Sequence, residues 1–177
     1  MKLWSGHYLN SNCQTSLTTA FIKYLPAPDQ LRIICIGTGD NIPDCWGPMC
    51  GSLLETALPD LEIQGTLTAP WHAVNHHQRL RQLRLTTQIN FVIDAGCGSE
   101  PLGTLILQCG LLYPGRASGK ILRPLGDINL IAVTAHKRKS LWRTREQALE
   151  RQQLLRLARL VEQALIDWKQ AKENTSA

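Results

Sequence analysis

The sequence predicts an α/β domain built on a mostly parallel sheet that is covered on both faces. Short apolar runs alternate along the chain with segments of helical spacing, which is typical of right-handed βαβ units. The apolar runs at residues 31–37 and 89–95 are typical of buried β-strands. At 177 residues the chain has the size of one domain, so a single α/β domain over residues 1–177 is expected.

The individual elements follow from apolar spacing and from prolines that end helices. Residues 16–24 are predicted to form a helix that ends before Pro26, and residues 46–57 a helix that ends before Pro59. A third helix is predicted over residues 74–85. Strands are predicted at residues 31–37, 61–67, 89–95, 102–108 and 128–134, with a loop rich in glycine and proline at 113–119.

The end of the chain carries the whole net charge of +5. Residues 1–136 contain nine basic and nine acidic side chains, whereas residues 137–177 contain ten basic and five acidic ones. We expect residues 141–172 to form a C-terminal amphipathic helix that packs on the domain and keeps its arginines in water. Trp142 and Trp168 are the aromatic residues of this segment, too few for a surface of interleaved aromatic and basic residues, so nucleic acid is not expected as a partner. The apolar stripe of this helix consists of Leu154, Leu157, Val161, Leu165 and Trp168.

The sequence predicts a cytoplasmic protein that does not span a membrane. No apolar stretch approaches the roughly 20 residues that span a bilayer. The N-terminus lacks a charged segment followed by an apolar one, so no secretory signal is expected. The six cysteines form no Cys-x-x-Cys pattern and are expected to be free thiols in a reducing compartment, although Cys45 and Cys97 each lie close in sequence to a candidate aspartate.

Two aspartates are the leading candidates for chemistry. Asp44 lies in the turn after the strand at 31–37, and Asp94 ends the run 89–93. Ligands of open α/β sheets bind at the carboxyl ends of parallel strands, so both carboxylates are expected to face one pocket. Two close carboxylates cannot both ionise cheaply, and such a pair can serve as general acid and general base. The alternative is that Asp44 caps the next helix and Asp94 closes a turn.

Four further residues are candidates for binding substrate or supporting the pair. Gly37 and Asn41 belong to the turn before Asp44, and His72 follows the predicted strand at 61–67. Asp127 is either a third acidic group or a turn residue before the strand at 128–134.

Histidine spacing and a glycine-rich turn suggest two other kinds of site. His72 and His76 are four residues apart, which suits a metal only if the helix already includes His72. His76 and His77 are expected on a solvated helix surface. The turn at 37–40 resembles a dinucleotide-binding loop, but Ile42 replaces its third glycine, and Asp44 adds negative charge where a phosphate would bind.

Four ordered segments resemble the YyaC-type sporulation proteins, which are related to the spore germination protease and, more distantly, to hydrogenase maturation proteases. The resemblance spans about residues 31–136. The segments are residues 34–48 (ICIGTGDNIPDCWGP), 65–75 (GTLTAPWHAVN), 92–98 (VIDAGCG) and 113–128 (YPGRASGKILRPLGDI).

This resemblance implies a three-layer α/β/α fold of the phosphorylase/hydrolase-like kind and a peptidase ancestry. In the germination protease, the aspartates tied to activity fall on Asp44 and Asp94 of this sequence. In the hydrogenase maturation enzymes, the acidic positions of the same two turns bind a divalent metal ion, so Asp44, Asp94 and His72 are candidate metal ligands here.

Two functions therefore stay open at the level of sequence. The first is a sporulation-associated peptidase, a hydrolase that cleaves a protein or peptide substrate with the Asp44/Asp94 pair, with or without a metal. The second is a non-catalytic sporulation protein whose crevice binds a metal ion or a peptide partner.

Overall fold

One sheet of seven strands organises the part of the chain that the computed structural model describes, residues 1–39, 41–83, 87–115, 119–136 and 147–176. The strands are β1 (Lys2–His7), β2 (Leu31–Ile36), β3 (Glu62–Gln64), β4 (Ile89–Cys97), β5 (Thr104–Cys109), β6 (Ile128–His136) and β7 (Gln147–Ala148). The α-helices are α1 (Cys13–Tyr24), α2 (Trp46–Ala57), α3 (His76–Gln82) and α4 (Arg151–Ser176).

The centre of the sheet is parallel, which confirms the predicted fold class. The strand order is β1-β5-β6-β4-β2-β3, and β7 pairs with the end of β6. Strands β3, β2, β4 and β6 are parallel, whereas β5 runs antiparallel to β6, and β1 antiparallel to β5. In this register Asp94 is paired with Ile36 of β2 on one side and with Ile131 of β6 on the other. Asp94 therefore belongs to the middle strand of the parallel core.

Side chains of the central strands alternate between two apolar cores, one on each face of the sheet. The larger core joins Ile33 and Phe91 to the helices α1, α2 and α4. The smaller core lies on the opposite face, where α3, Leu112 and Leu125 contribute. It consists of Ile34, Ile36, Trp71, Val92, Leu112 and Leu125, with Leu80 and Leu83 packed against it. The two cores and the sheet between them give the predicted three-layer α/β/α architecture.

The C-terminal helix packs as its apolar stripe predicts, but it begins later in the chain. The five stripe residues are all completely buried, and Lys169 forms an ion pair with Asp60 at 2.9 Å. Helix α4 starts at Arg151 rather than near residue 141, because residues 147–149 hydrogen-bond to β6 instead. The Leu149 N–H donates to the Thr134 carbonyl at 2.9 Å. Residues 141–146 of the predicted helix lie outside the described residues.

Strand β1, like the short strand β7, was not predicted from the sequence. It is an edge strand, and its only partner in the described sheet is β5, about 100 residues further along the chain. Within the described ranges, no helix is both long and apolar enough to cross a membrane.

Candidate functional site

A cavity of about 510 Å³ opens at the carboxyl ends of β2, β4 and β6, on the face of the sheet that carries α3. Its walls come from the turn after β2, from residues 72–76, from the end of β4 and from residues 112–115 and 120–122. The predicted site residues among its lining are Gly37, Asn41, Asp44, His72 and Asp94. Chain topology thus brings together residues that are far apart in sequence, at the edge of the sheet where ligands of open α/β folds bind.

Asp44 is held by the turn that follows β2. Its Oδ2 accepts hydrogen bonds from the Thr38 backbone N–H at 2.9 Å and from Thr38 Oγ1 at 3.0 Å. A side chain at Gly37 would bring its Cβ within 2.0 Å of the Asp44 carbonyl oxygen, so glycine is what lets the turn fold back onto the strand end. Helix α2 has Cys45 at its N-cap position and no side-chain cap bond. Asp44 therefore binds Thr38 instead of capping the helix.

Asp94 is the most perturbed carboxyl group of the cavity. Its side chain keeps some surface open to the cavity, but protein surrounds it on the other sides. Burial and, secondarily, the negative charge of Asp44 raise its pKa from 3.8 to about 8, against a smaller opposing effect of the Ala95 backbone hydrogen bond. At neutral pH the Asp94 carboxyl thus favours its protonated form, in the same cavity as Asp44, whose Oδ2 accepts two hydrogen bonds from Thr38. This difference is the one that general acid–base catalysis needs.

His72 reaches the cavity from the segment before α3. The His72 backbone N–H donates to Asn75 Oδ1 at 2.9 Å, and Asn75 Nδ2 donates to the Pro70 carbonyl at 2.8 Å, so Asn75 fixes this turn. The Val74 N–H donates to His72 Nδ1 at 3.2 Å. Because Nδ1 is an acceptor, the hydrogen of the neutral ring is on Nε2. His72 precedes α3, so the helical spacing considered for a His72 and His76 metal site does not occur.

The prediction that His76 lies on a solvated helix surface is wrong. It is only 1% exposed and lines the cavity wall. Trp71 Nε1–H donates to its Nδ1 at 3.0 Å, and its Nε2 bonds to the Arg123 carbonyl at 2.8 Å. The 119–125 segment folds over the first turn of α3 and excludes water from the ring, which the local sequence could not reveal. His77, by contrast, is exposed as predicted.

Asp127 lies at the opposite end of the sheet from the cavity. Its Oδ2 accepts hydrogen bonds from the Asn90 backbone N–H at 2.8 Å and from Asn90 Nδ2 at 3.3 Å, while the Asp127 N–H donates to the Asn90 carbonyl. These bonds join the starts of β4 and β6. The structure therefore does not bring Asp127 to the other site residues, and its contacts are those of the turn residue weighed as the alternative.

The cavity lining offers little preformed metal binding among the described residues. Across those residues, no group of three or more His, Cys, Asp and Glu side chains is arranged to share an ion. Cys45 is buried in the larger core, where burial raises the pKa of its thiol. Cys97 is exposed and lines the cavity. Sequence reasoning did not single out Thr38, Tyr113, Lys120 or Thr134, which also line it.

Comparisons with known proteins agree with the motifs. The chain matches the family model described as "Protein of unknown function (DUF1256)" over residues 5–164. It is 31% identical over 121 residues to a Bacillus subtilis (strain 168) protein called "Uncharacterized protein YyaC", in an alignment that covers 66% of this chain and 58% of the relative. The chain thus spans less than two thirds of that relative's length. No solved structure matches. The match over nearly the whole length places this chain in the DUF1256 family, as a protein of the YyaC type.

Proposed function

We propose that this protein is a peptidase that hydrolyses a peptide bond with Asp44 as general base and Asp94 as general acid. The observation that carries the proposal is the difference between the two carboxyl groups in one cavity. Asp44 is hydrogen-bonded as a carboxylate by Thr38, whereas the pKa of Asp94 is raised to about 8 by burial and by the charge of Asp44. Two carboxyl groups whose environments push their protonation apart are the pattern of an acid–base pair.

The proposed reaction is a single hydrolysis with balanced protons. Asp44 takes a proton from a water molecule as the water oxygen attacks the carbonyl carbon of the substrate. Asp94 gives its proton to the leaving nitrogen, the C–N bond breaks, and an acid and an amine are released. Asp44 is then protonated and Asp94 ionised, and transfer of one proton through water restores the starting state. General acid–base catalysis of this kind contributes roughly 10²–10⁴-fold to a rate.

His72 is proposed to stabilise the charge that develops on the carbonyl oxygen. Its Nδ1 already accepts the Val74 N–H, so the hydrogen on Nε2 is available for a substrate in the cavity. Asn41, whose side chain can both donate and accept, lines the same cavity and is proposed to hold the substrate backbone.

A divalent metal is the finer alternative that the resemblance raises. Asp44 and His72 are suitable ligand types, but Oδ2 of Asp44 is engaged by Thr38, and no preformed group of three ligands exists among the described residues. A bound ion would lower the pKa of Asp94 and replace its acid role by direct polarisation of the carbonyl. The proposed acid–base mechanism does not require it.

The test is hydrolysis of a pool of peptides and proteins extracted from sporulating and germinating Bacillus cells, because we place the substrate in that setting. The reaction is run in H₂¹⁸O, and new C-termini carrying ¹⁸O are identified by mass spectrometry. Asp44→Asn and Asp94→Asn are each expected to lower the cleavage rate about 100-fold or more, since each removes one member of an acid–base pair. Chelator and added divalent metal form parallel arms.

Asp127→Asn is the matched control, because it makes the same chemical change at the other end of the sheet. It is expected to leave the cleavage rate unchanged. Cleavage that survives both cavity substitutions would refute the assigned pair. Absence of cleavage in every arm would favour the non-catalytic alternative, in which the crevice binds a peptide or a metal ion.

A further inference from the structure

A chain of hydrogen bonds connects three walls of the cavity through His76. The Gly37 N–H, at the end of β2, donates to the Trp71 carbonyl at 2.9 Å. The Trp71 indole N–H donates to His76 Nδ1 at 3.0 Å, and His76 Nε2 lies 2.8 Å from the Arg123 carbonyl. Trp71 and His76 are 0% and 1% exposed, so water does not compete for these bonds.

The 119–125 segment depends on this connection for its place in the cavity wall. Lys120 and Leu122 of this segment line the cavity, yet its backbone has few other anchors among the described residues. One is the pair of hydrogen bonds between Leu112 and Leu125, and another is the Lys120 N–H, which donates to the Gly115 carbonyl. Ile121 is 99% exposed, so its side chain does not help to hold the segment. Leu125 packs in the smaller core, and the bond from His76 to Arg123 is the anchor of the stretch between Lys120 and Leu125.

The network works with one protonation state of His76. Nδ1 must accept from Trp71, because an indole nitrogen can only donate, and so Nε2 carries the hydrogen that goes to Arg123. A second proton on the ring would be on Nδ1. Two donors would then face each other at 3.0 Å, and a positive charge would be buried next to the apolar core.

We propose that His76 is a positioning residue of the cavity: its neutral ring holds the 119–125 segment as one wall, and protonation at Nδ1 releases that wall. This inference concerns the shape of the cavity, and it rests on the proposed function only where hydrolysis is the readout. A site that closes on its ligand at neutral pH and opens in acid is the expected behaviour.

Burial is the main reason that His76 favours its neutral form. His77, on the same helix, lies with its ring centroid 6.0 Å away. Burial, and to a smaller extent the charge of His77, lowers the pKa of His76 from 6.5, while the bond to Arg123 opposes this shift. The 119–125 segment brings the side chains of Lys120 and Arg123, and the cavity brings His72, Asp44 and Asp94. The neutral ring therefore persists through pH 7 and protonates only in a more acidic solution.

The experiment is an NMR titration of the whole chain from pH 7.5 to pH 4.5, without any substrate. The Trp71 indole N–H signal is assigned by its loss in Trp71→Phe. We expect that signal and the backbone N–H signals of Leu122 and Leu125 to titrate together, with one midpoint below about 6.5. Far-UV circular dichroism over the same range verifies that the fold persists.

Variants at the two neighbouring histidines separate the proposal from a general effect of acid. His76→Phe keeps a ring but no nitrogen, so the shared titration is expected to disappear, and the Leu125 amide is expected to exchange at least tenfold faster at pH 7.5. If His76→Phe does not fold, His76→Gln serves instead, because its amide can still donate to Arg123. His77→Phe is the matched control, and it is expected to keep the titration and to move its midpoint slightly upward.

Two results would overturn the proposal. One is a Trp71 indole signal and wall amides that do not move between pH 7.5 and pH 4.5. The other is a titration in His76→Phe or His76→Gln with the midpoint of the unaltered chain. Neither outcome depends on whether the protein cleaves peptides, so failure of the peptidase proposal and failure of this one are distinguishable.

Discussion

The two ends of the parallel sheet differ in whether the surroundings of a charged side chain favour or oppose its charge. At the amino end, Arg32 lies 2.8 Å from Glu62, and Asp127 accepts two hydrogen bonds from Asn90. At the carboxyl end, the Ala95 backbone hydrogen bond is what favours the charged form of Asp94 within the described residues, and it is outweighed by burial and by the negative charge of Asp44. The amino end joins strands, whereas the carboxyl end carries a carboxyl group that is costly to ionise.

This difference distinguishes a carboxylate that joins two strands from a carboxyl group whose environment opposes ionisation. The hydrogen bonds from Asn90 to Asp127 connect β4 and β6, so Asp127 contributes to folding. The environment of Asp94 instead favours the protonated carboxyl group, so ionisation of Asp94 lowers the free energy of unfolding. Perturbation of this kind is typical of functional sites. The following three changes test the comparison, from the largest expected effect to the smallest.

The largest loss of stability is expected when a carboxylate is placed in the apolar core, where it has no hydrogen-bond donor and no access to the cavity. Leu157 of α4 is completely buried in the larger core. We expect Leu157→Asp to lower the free energy of unfolding by about 4 kcal/mol, because it buries a charge and removes apolar contacts. The measurement is urea unfolding at pH 7. Leu155→Asp is the control, since Leu155 is 42% exposed, and the control is expected to change stability by less than about 0.5 kcal/mol. Equal effects of the two changes would mean that α4 does not pack as described.

Removing the charge at Asp94 should stabilise the protein, in a manner that depends on pH. Between pH 3.8, the ordinary pKa, and about 8, the folded state holds a proton that the unfolded state has lost. The stability of the unaltered chain therefore falls as pH rises through this window. Asp94→Asn removes that loss, so its advantage should be near zero at pH 4 and reach a few kcal/mol at pH 8.

Thermal unfolding of Asp94→Asn and the unaltered chain at a series of pH values measures this difference. Asp127→Asn is carried through the same series and is expected to gain nothing with rising pH. An Asp94→Asn protein that is less stable than the unaltered chain at pH 8 would contradict the described environment of Asp94.

The smallest effect is expected at the amino end. Asp127→Ala leaves the Asn90 backbone N–H without its acceptor and should lower the free energy of unfolding by about 1 kcal/mol. Asp127→Asn keeps an acceptor oxygen and should cost less. Chemical denaturation at pH 7 ranks the two variants. If Asp127→Ala left stability unchanged but lowered the rate of hydrolysis, the conclusion that Asp127 only joins strands would be wrong.

The central part of this architecture could be predicted from sequence because local patterns encode it. The buried strands β2 and β4, together with the parallel order that βαβ units impose, place Asp44 and Asp94 at one sheet edge. The stripe of α4 likewise follows from spacing alone. The sequence could not show that Asp44 does not cap helix α2, because its hydrogen bonds from Thr38 depend on how the turn folds.

What could not be predicted depends on contacts between distant parts of the chain. His76 is buried by a segment 47 residues away, and its own neighbours give it the polar surroundings of a surface helix. Strand β1 forms because it pairs with β5. Its six residues mix polar and apolar side chains and show no pattern that identifies this partner.

In addition to its side-chain packing in the larger core, helix α2 approaches neighbouring backbone closely at two glycines. A Cβ at Gly47 would lie 2.0 Å from the Ile36 carbonyl oxygen, and one at Gly51 would lie 2.2 Å from the Gly65 carbonyl oxygen. At these two points no side chain lies between the helix and the neighbouring backbone that a substitution could shorten to open a passage. The described cavity reaches Asp94 from the α3 face of the sheet, so an inhibitor or an engineered substrate is expected to approach from that face.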